Sequence, residues 1–267
     1  PFLDLIMVRI DLEKLASELF DALKGRYCLD PLTNRHPEIS INDAYKISLK
    51  LLERRVKEGE KVIGKKIGVT SKVVQEMLGV DQPDFGFLTS DMHIPNKSVV
   101  NIKKSLIQPR AEGEIAFVLS KDLRGPGITS DEVLESTESI FPCFEIVDSR
   151  IEDWKISIQD TIADNASCGV FILGDGKVDP RDIELDNCRL KVYKNGDLIS
   201  QGKGSAVQGH PCNAVAWLAN TLGEFDIPFK SGEIILSGSL VPLEPVAAGD
   251  EMYLELEGVG SAEVKFI

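Results

Sequence analysis

Residues 111–119 read AEGEIAFVL, and the two carboxylates near its start sit awkwardly in the strand that the rest of the run demands. Residues i and i+2 of a strand share a face, so Glu112 and Glu114 project together, with Gly113, Ile115 and Phe117 on the other side. Ala116 and Val118 continue the glutamates' own face. Both faces therefore turn apolar, and the strand reads as buried on both sides. Two like charges side by side in such a place repel and raise each other's pKa. Either the segment is a sheet edge with its glutamates in water, or a cation holds them, because hard cations prefer carboxylate oxygens. Glu145 favours the second reading: it is a lone charge within PCFEIV (142–147), a run that otherwise reads as core strand. Three such glutamates on two strands suit an octahedral Mg²⁺ or Mn²⁺, with positions left for water and substrate.

The flanking sequence gives those strands a setting. Leu12, Leu15, Leu19 and Leu23 fall on one face of a helix over 11–24. LDPLTNRHPEIS, with two prolines, reads as loop. Ser40 followed by Asp43 resembles a capping box, and Ala44, Ile47, Leu51 and Leu52 give the next helix its buried stripe. From Lys61 the pattern becomes β-rich. KVIGKKIGV reads as a strand, Thr70 and Ser71 can cap a short helix, and PDFGFLTSDMHIP is turn-rich. A helix is expected through SDEVLESTES and a strand in FPCFEIVDSR. Residues 151–169 read as an ordered polar loop. Strands follow in FILG, CRLKVYKNG and DLISQG, with a hairpin turn at Asn195-Gly196. Pro211 opens a helix that Gly223 can end, and the tail is β again, MYLELE having one wet face. The expected architecture is one structural unit, α+β, with a helical portion over 1–60 packed on a β-rich core over 61–267.

A chain of 267 residues with 43% hydrophobic content can build one substantial core. Its formal charge of −13, with no long basic run, argues against nucleic acid and anionic membranes as partners. No apolar run approaches the ~20 residues needed to span a bilayer, and PFLDLIMVRIDLEKL lacks the basic flank and cleavage site of a leader. Five dispersed cysteines without a CxxC pair suit a reducing compartment, so a cytoplasmic protein is expected.

In order along the chain, GKKIGVTSK, PDFG, QPRAEGEIAFVL, FEIVDSR, DTIADNASCGV, QGHPCNAVAWLAN and LSGSLVPLEPVAAGD closely resemble the 2-hydroxypenta-2,4-dienoate (2-oxopent-4-enoate) hydratases. These stand with the 4-oxalocrotonate decarboxylases in the fumarylacetoacetate hydrolase superfamily. The resemblance runs from about the second helix to the C-terminus. It implies a mixed β-roll and a Mg²⁺ or Mn²⁺ ion on a Glu-x-Glu plus later Glu motif, here Glu112, Glu114 and Glu145. The implied activity is hydration of a small anionic dienol acid to a 4-hydroxy-2-oxo acid in meta-cleavage degradation of aromatic compounds. Homo-oligomers are also implied, as is association with a sister decarboxylase or a downstream aldolase.

The same resemblance points to Lys66 as acid/base group, its amine lowered toward neutrality by desolvation, with Lys65 on the opposite face. Asp84 would orient Lys66 or position water, although an Asp before glycine is also an ordinary turn residue. Asp164, Asn165 and Ser167 are candidates for the substrate carboxylate or a water, and Ser239 for a substrate contact; loop capping and turn chemistry explain the same residues. His36, His93 and His210 give no catalytic signal, and Trp217 reads as packing. The alternatives are 4-oxalocrotonate decarboxylase, a hydratase of a longer 2-oxo-ene-dioate, C–C bond hydrolysis, and a non-catalytic assembly partner.

Overall fold

The computed structural model describes residues 10–267, so the apolar opening over residues 1–9 lies outside the described residues. The helices are α1 (Leu12–Gly25), α2 (Leu32–Arg35), α3 (Ile41–Lys57), α4 (Lys72–Leu78), α5 (Ile102–Ser105), α6 (Ser130–Glu135), α7 (Ile158–Ala163) and α8 (Pro211–Gly223). The strands are β1 (Val62–Gly68), β2 (Asp84–Thr89), β3 (His93–Ile94), β4 (Val99–Val100), β5 (Pro109–Leu119), β6 (Thr137–Asp148) and β7 (Cys168–Leu173). They continue as β8 (Arg189–Lys194), β9 (Asp197–Lys203), β10 (Ile234–Ser239), β11 (Glu244–Pro245), β12 (Glu251–Leu256) and β13 (Gly260–Phe266).

A mixed eight-stranded sheet runs β2-β1-β10-β5-β6-β7-β3, with β11 added to β5, and a five-stranded sheet runs β4-β13-β12-β8-β9. One face of the large sheet (Ile115 and Phe117 of β5, Phe144 and Ile146 of β6) packs on Leu190, Val192, Met252 and Leu254 of the small sheet and on α8. The opposite face carries the glutamates. It also carries a small apolar cluster that includes Ala116, Cys143, Phe171 and Leu236. The α+β fold with a helical N-terminal portion is as expected, and the alternation in Glu251–Leu256 matches the observed exposed-buried pattern.

The N-terminal helices form where their caps and stripes direct. Asp11 accepts from Lys14 N–H, and Ser40 and Asp43 close a reciprocal capping box. Leu15 and Leu19 of α1 meet Ile47 and Leu51 of α3, and both helices join Ile158, Ile162 and Ala163 of α7.

Four local expectations need correction. LDPLTNRHPEIS holds a short helix, α2. The helix expected through SDEVLESTES stops at Glu135, because β6 begins at Thr137 and pairs with β5. The stretch read as turn-rich at PDFG is β2, buried throughout and paired antiparallel with β1 from Gly68↔Asp84 onward. Residues 158–163 form a buried helix, not a polar loop. Asp160 is tolerated inside because Thr33 donates to it from both backbone (3.0 Å) and hydroxyl (2.7 Å). Among the described residues, no helix is long and apolar enough to cross a membrane.

Candidate metal centre and active site

Register builds the site. In the β5–β6 ladder Glu112 stands directly opposite Glu145, and Glu114 opposite Cys143, so all three glutamates rise from one face. Each can offer an oxygen within 4.8 Å of the other two. Glu114 and Glu145 are fully buried, while Glu112 keeps some contact with solvent. Glu114 Oε2 accepts from the Gly238 amide at 3.0 Å, but Glu114 Oε1 and both Glu145 oxygens have no hydrogen-bond partner. Gly238 holds φ +113°, and a Cβ there would meet the Thr70 side chain at 2.5 Å, so only glycine presents that amide.

Crowding of carboxylates shows in their acidity. Burial, then the charge of Glu145, pushes Glu112 up to about 7. Burial, then Glu145 and Glu112, holds Glu114 well above the ordinary carboxylate range.

Lys66 belongs to the same face: it pairs with Leu236, which pairs with Ala116. Its Nζ donates to the Ala166 carbonyl at 2.9 Å and lies 3.0 Å from Glu145 Oε1, close enough for an ion pair but not aligned as a hydrogen bond. Lys65 points the other way, as its parity requires. It pairs with Glu233 at 2.6 Å and lies over the Phe229 ring. The expected lowering of the Lys66 amine does not occur. Burial pulls it down, but Glu145, Glu112 and Asp84 together outweigh burial and leave it above its ordinary value. Asp84 is buried beside it with Oδ1 unpartnered, and burial raises its carboxyl to about 6 against the opposing pull of Lys66. Gly68 makes room for the pair. A Cβ there would lie 2.4 Å from Asp84 Oδ1 and 3.4 Å from Lys66 Nζ.

The ADNAS residues lie beside this site, with their polar groups already engaged. Both Asp164 oxygens accept from Arg150, through its backbone N–H (2.9 Å) and Nε (2.6 Å). The Asn165 amide pairs with both backbone groups of Phe87. Ser167 Oγ is 3.0 Å from Thr161 Oγ1. Each side-chain oxygen or nitrogen of Asp164 and Asn165 thus already holds one protein partner in this arrangement. Ser239 Oγ donates to the Val241 carbonyl at 2.6 Å, the turn chemistry its neighbours suggest.

Sequence reasoning did not single out Arg150, Gly68, Gly238 or the Ala166 carbonyl. An arginine closing a long apolar strand was the available signal for the first. A cavity of about 330 Å³ opens beside Thr70, lined also by Lys72, Gln75 and Gln208. A larger cavity of about 750 Å³, around Arg110 and Trp154, lies elsewhere, and neither lining includes the three glutamates.

Residues 58–267 match the fumarylacetoacetate hydrolase C-terminal family. The chain is 58% identical to a 2-hydroxyhexa-2,4-dienoate hydratase of Comamonas testosteroni, over 96% of this chain and 97% of that one. It is 60% identical to a 2-hydroxypent-2,4-dienoate hydratase of Pseudomonas putida, over 81% and 97%. Its fold superposes on 4-oxalocrotonate decarboxylase from Pseudomonas putida G7, complexed with magnesium and adipate. That match has a TM-score of 0.93 and 34% identity, over 96% of this chain and 97% of that one. The chain therefore belongs to the fumarylacetoacetate hydrolase family, in the branch that holds the 2-hydroxydienoate hydratases and their decarboxylase relatives.

Proposed function

We propose that this protein is a hydro-lyase that adds water to 2-hydroxypenta-2,4-dienoate, giving 4-hydroxy-2-oxopentanoate, with Mg²⁺ or Mn²⁺ held by Glu112, Glu114 and Glu145. The observation that carries the reading is the gathering of Glu112, Glu114 and Glu145 oxygens within 4.8 Å beside Lys66 and Asp84, with Glu114 Oε1 and both Glu145 oxygens buried and without hydrogen-bond partners. Such a set is costly when empty and fits a hard divalent cation. Names of the hydratase relatives and the magnesium in the decarboxylase complex support the same choice.

When bound, the cation would supply Lewis-acid polarisation at the carboxylate and 2-oxygen end of the substrate. The protein's own groups handle protons. Conversion of the dienol to the conjugated ketone removes a proton from O2 and adds one at C5. Water addition then places hydroxyl on C4 and a proton on C3. Asp84 Oδ1, uncommitted and titrating near 6, is suited to accept and return a proton close to neutral pH. The Lys66 ammonium, fixed by Ala166 and Glu145, is suited to donate toward oxygen or carbon as charge develops there. Ser167, whose hydroxyl has one side-chain partner in Thr161, keeps capacity for a substrate contact, whereas the Ser239 hydroxyl proton is given to the Val241 carbonyl. Asp164 and Asn165 shape the wall.

The α3 helix and the core are proposed to act as one unit, supported by Tyr45 stacked on Phe85 at 4.4 Å. A cytoplasmic homo-oligomer, associating with a decarboxylase or an aldolase, completes the proposal; light scattering of the purified protein tests the oligomer.

The functional test follows the ultraviolet absorbance of freshly generated 2-hydroxypenta-2,4-dienoate with and without Mn²⁺ or Mg²⁺. Metal-dependent loss with 4-hydroxy-2-oxopentanoate as product is expected, and Glu114→Gln and Lys66→Ala should each abolish it. No loss beyond the blank would overturn the assignment. Release of CO₂ from 4-oxalocrotonate would then move the protein to the decarboxylase, which its 34% identity keeps as the second reading.

A further inference from the structure

Three consecutive non-glycine residues, Asn165, Ala166 and Ser167, hold left-handed backbone at φ +55°, +50° and +54°. L-residues visit that region singly and at a cost, so a run of three persists only where the surroundings impose it. The turn has a consequence at the site, because its central carbonyl, Ala166 O, takes the Lys66 ammonium at 2.9 Å.

Arg150, whose side chain is 1% exposed, reaches both ends of the turn. Its Nη2 donates to the Asp164 carbonyl at 2.8 Å and its Nη1 to the Cys168 carbonyl at 3.1 Å. Those carbonyls belong to the residues just before and just after the left-handed run. Nε and the backbone N–H hold the Asp164 carboxylate, and Nη1 also bonds the Asp148 carbonyl at the end of β6. One planar fork thus ties both ends of the turn to the strand that carries Glu145, three residues from Asp148. A lysine ammonium, a single point with three donors, cannot span both carbonyls and the carboxylate.

We propose that Arg150 is a positioning residue: by bracketing the 165–167 turn, its guanidinium aims the Ala166 carbonyl and so fixes Lys66 against Glu145. The inference concerns the placement of Lys66. Its catalytic consequence rests on the hydratase reading given above.

The test compares Lys66 with its neighbour. Both lysines are 2% exposed, but Lys65 faces the opposite side of β1, paired with Glu233 and set over the Phe229 ring. Wild-type protein, Arg150→Lys and the near-isosteric Asp164→Asn are briefly acetylated with acetic anhydride, and each lysine is read by peptide mass spectrometry. In either folded variant Lys66 should react roughly tenfold faster or more, with Lys65 within about twofold of wild type; Asp164→Asn serves if Arg150→Lys does not fold. On the dienoate with Mn²⁺, a displacement of about 1 Å predicts kcat down on the order of 100-fold with KM little changed. Lys66 remaining as protected as in wild type would overturn the proposal. So would both lysines rising together, the signature of general loosening. If the wild type does not turn over the dienoate, the hydratase reading fails, and the lysine comparison still decides the role of Arg150.

Discussion

In the metal-free protein the Glu112 carboxyl titrates near 7, raised first by burial and then by the charge of Glu145, against an ordinary value of 4.5. Between those two values the folded chain binds more protons than the unfolded one, so stability falls as pH rises and the loss is complete above pH 7. The gap corresponds to about 3 kcal/mol at pH 8, and to less than about 1 kcal/mol at pH 5. Glu112→Gln removes the charge and keeps the shape, at a cost of about 1 kcal/mol for an amide without good partners. The variant should therefore be more stable than wild type at pH 8 by about 2 kcal/mol, or roughly 4–8 °C in Tm for a chain of this size. At pH 5 the gain should vanish. Thermal melts followed by circular dichroism in EDTA at the two pH values provide the measurement. Adding Mn²⁺ should raise Tm of the wild type at pH 8 and do far less for the variant, since relief of carboxylate repulsion is part of what the cation contributes. A lower Tm for the variant at pH 8, or an equal gain at both pH values, would refute the reasoning.

Gly238→Ala should weaken Mn²⁺ binding roughly 10- to 100-fold by calorimetry, because the new Cβ displaces Thr70 and the amide that orients Glu114. Unchanged affinity would mean that the amide does not set the ligand. Lys65→Met removes the Glu233 partner but keeps the packing over Phe229, so it should cost roughly 1–2 kcal/mol, seen as a fall of about 2–8 °C in Tm. Turnover per folded molecule should stay within a few-fold of wild type. Loss of turnover in well-folded Lys65→Met would reverse the assignment of the two lysines.

What could be read in the sequence was whatever depends on periodicity alone. The centres of the α1 and α3 stripes (Leu15 and Leu19; Ala44, Ile47 and Leu51), the parity that separates Lys65 from Lys66, and the common face of Glu112 and Glu114 follow from spacing, and the structure reproduces them, while Leu12, Leu23 and Leu52 are only half-buried. What could not be read depends on partners far along the chain. PDFG carries turn residues, yet it is strand because β1 supplies its hydrogen bonds. The polar residues of 158–167 suggested a loop, but Thr33, Arg150 and Phe87 satisfy them from 127, 14 and 78 positions away. The direction of the Lys66 shift was illegible for the same reason. Desolvation can be guessed from apolar neighbours, whereas three opposing carboxylates become visible only once β2, β5 and β6 are aligned.

That alignment bears on how an anion reaches this site at all. Glu112, Glu114, Glu145 and Asp84 face one ammonium, Lys66, while Arg150 is consumed by Asp164. As pH rises and these raised carboxyls ionise, the cluster moves toward a surplus of three negative charges, on a chain already at −13. A dienoate carboxylate would meet repulsion there, and burial strengthens that repulsion by lowering the local dielectric. A divalent cation held there would offset two of the three charges and give the anion an opposite charge to meet at the glutamate corner. At a pH where those carboxyls are ionised, metal would thus be required for substrate to bind as well as for its chemistry. A non-reacting 2-oxo acid should therefore show no saturable binding to the EDTA-treated protein and saturable binding once Mn²⁺ is restored. Equal binding in both states would place the anion's partner elsewhere than at the glutamates.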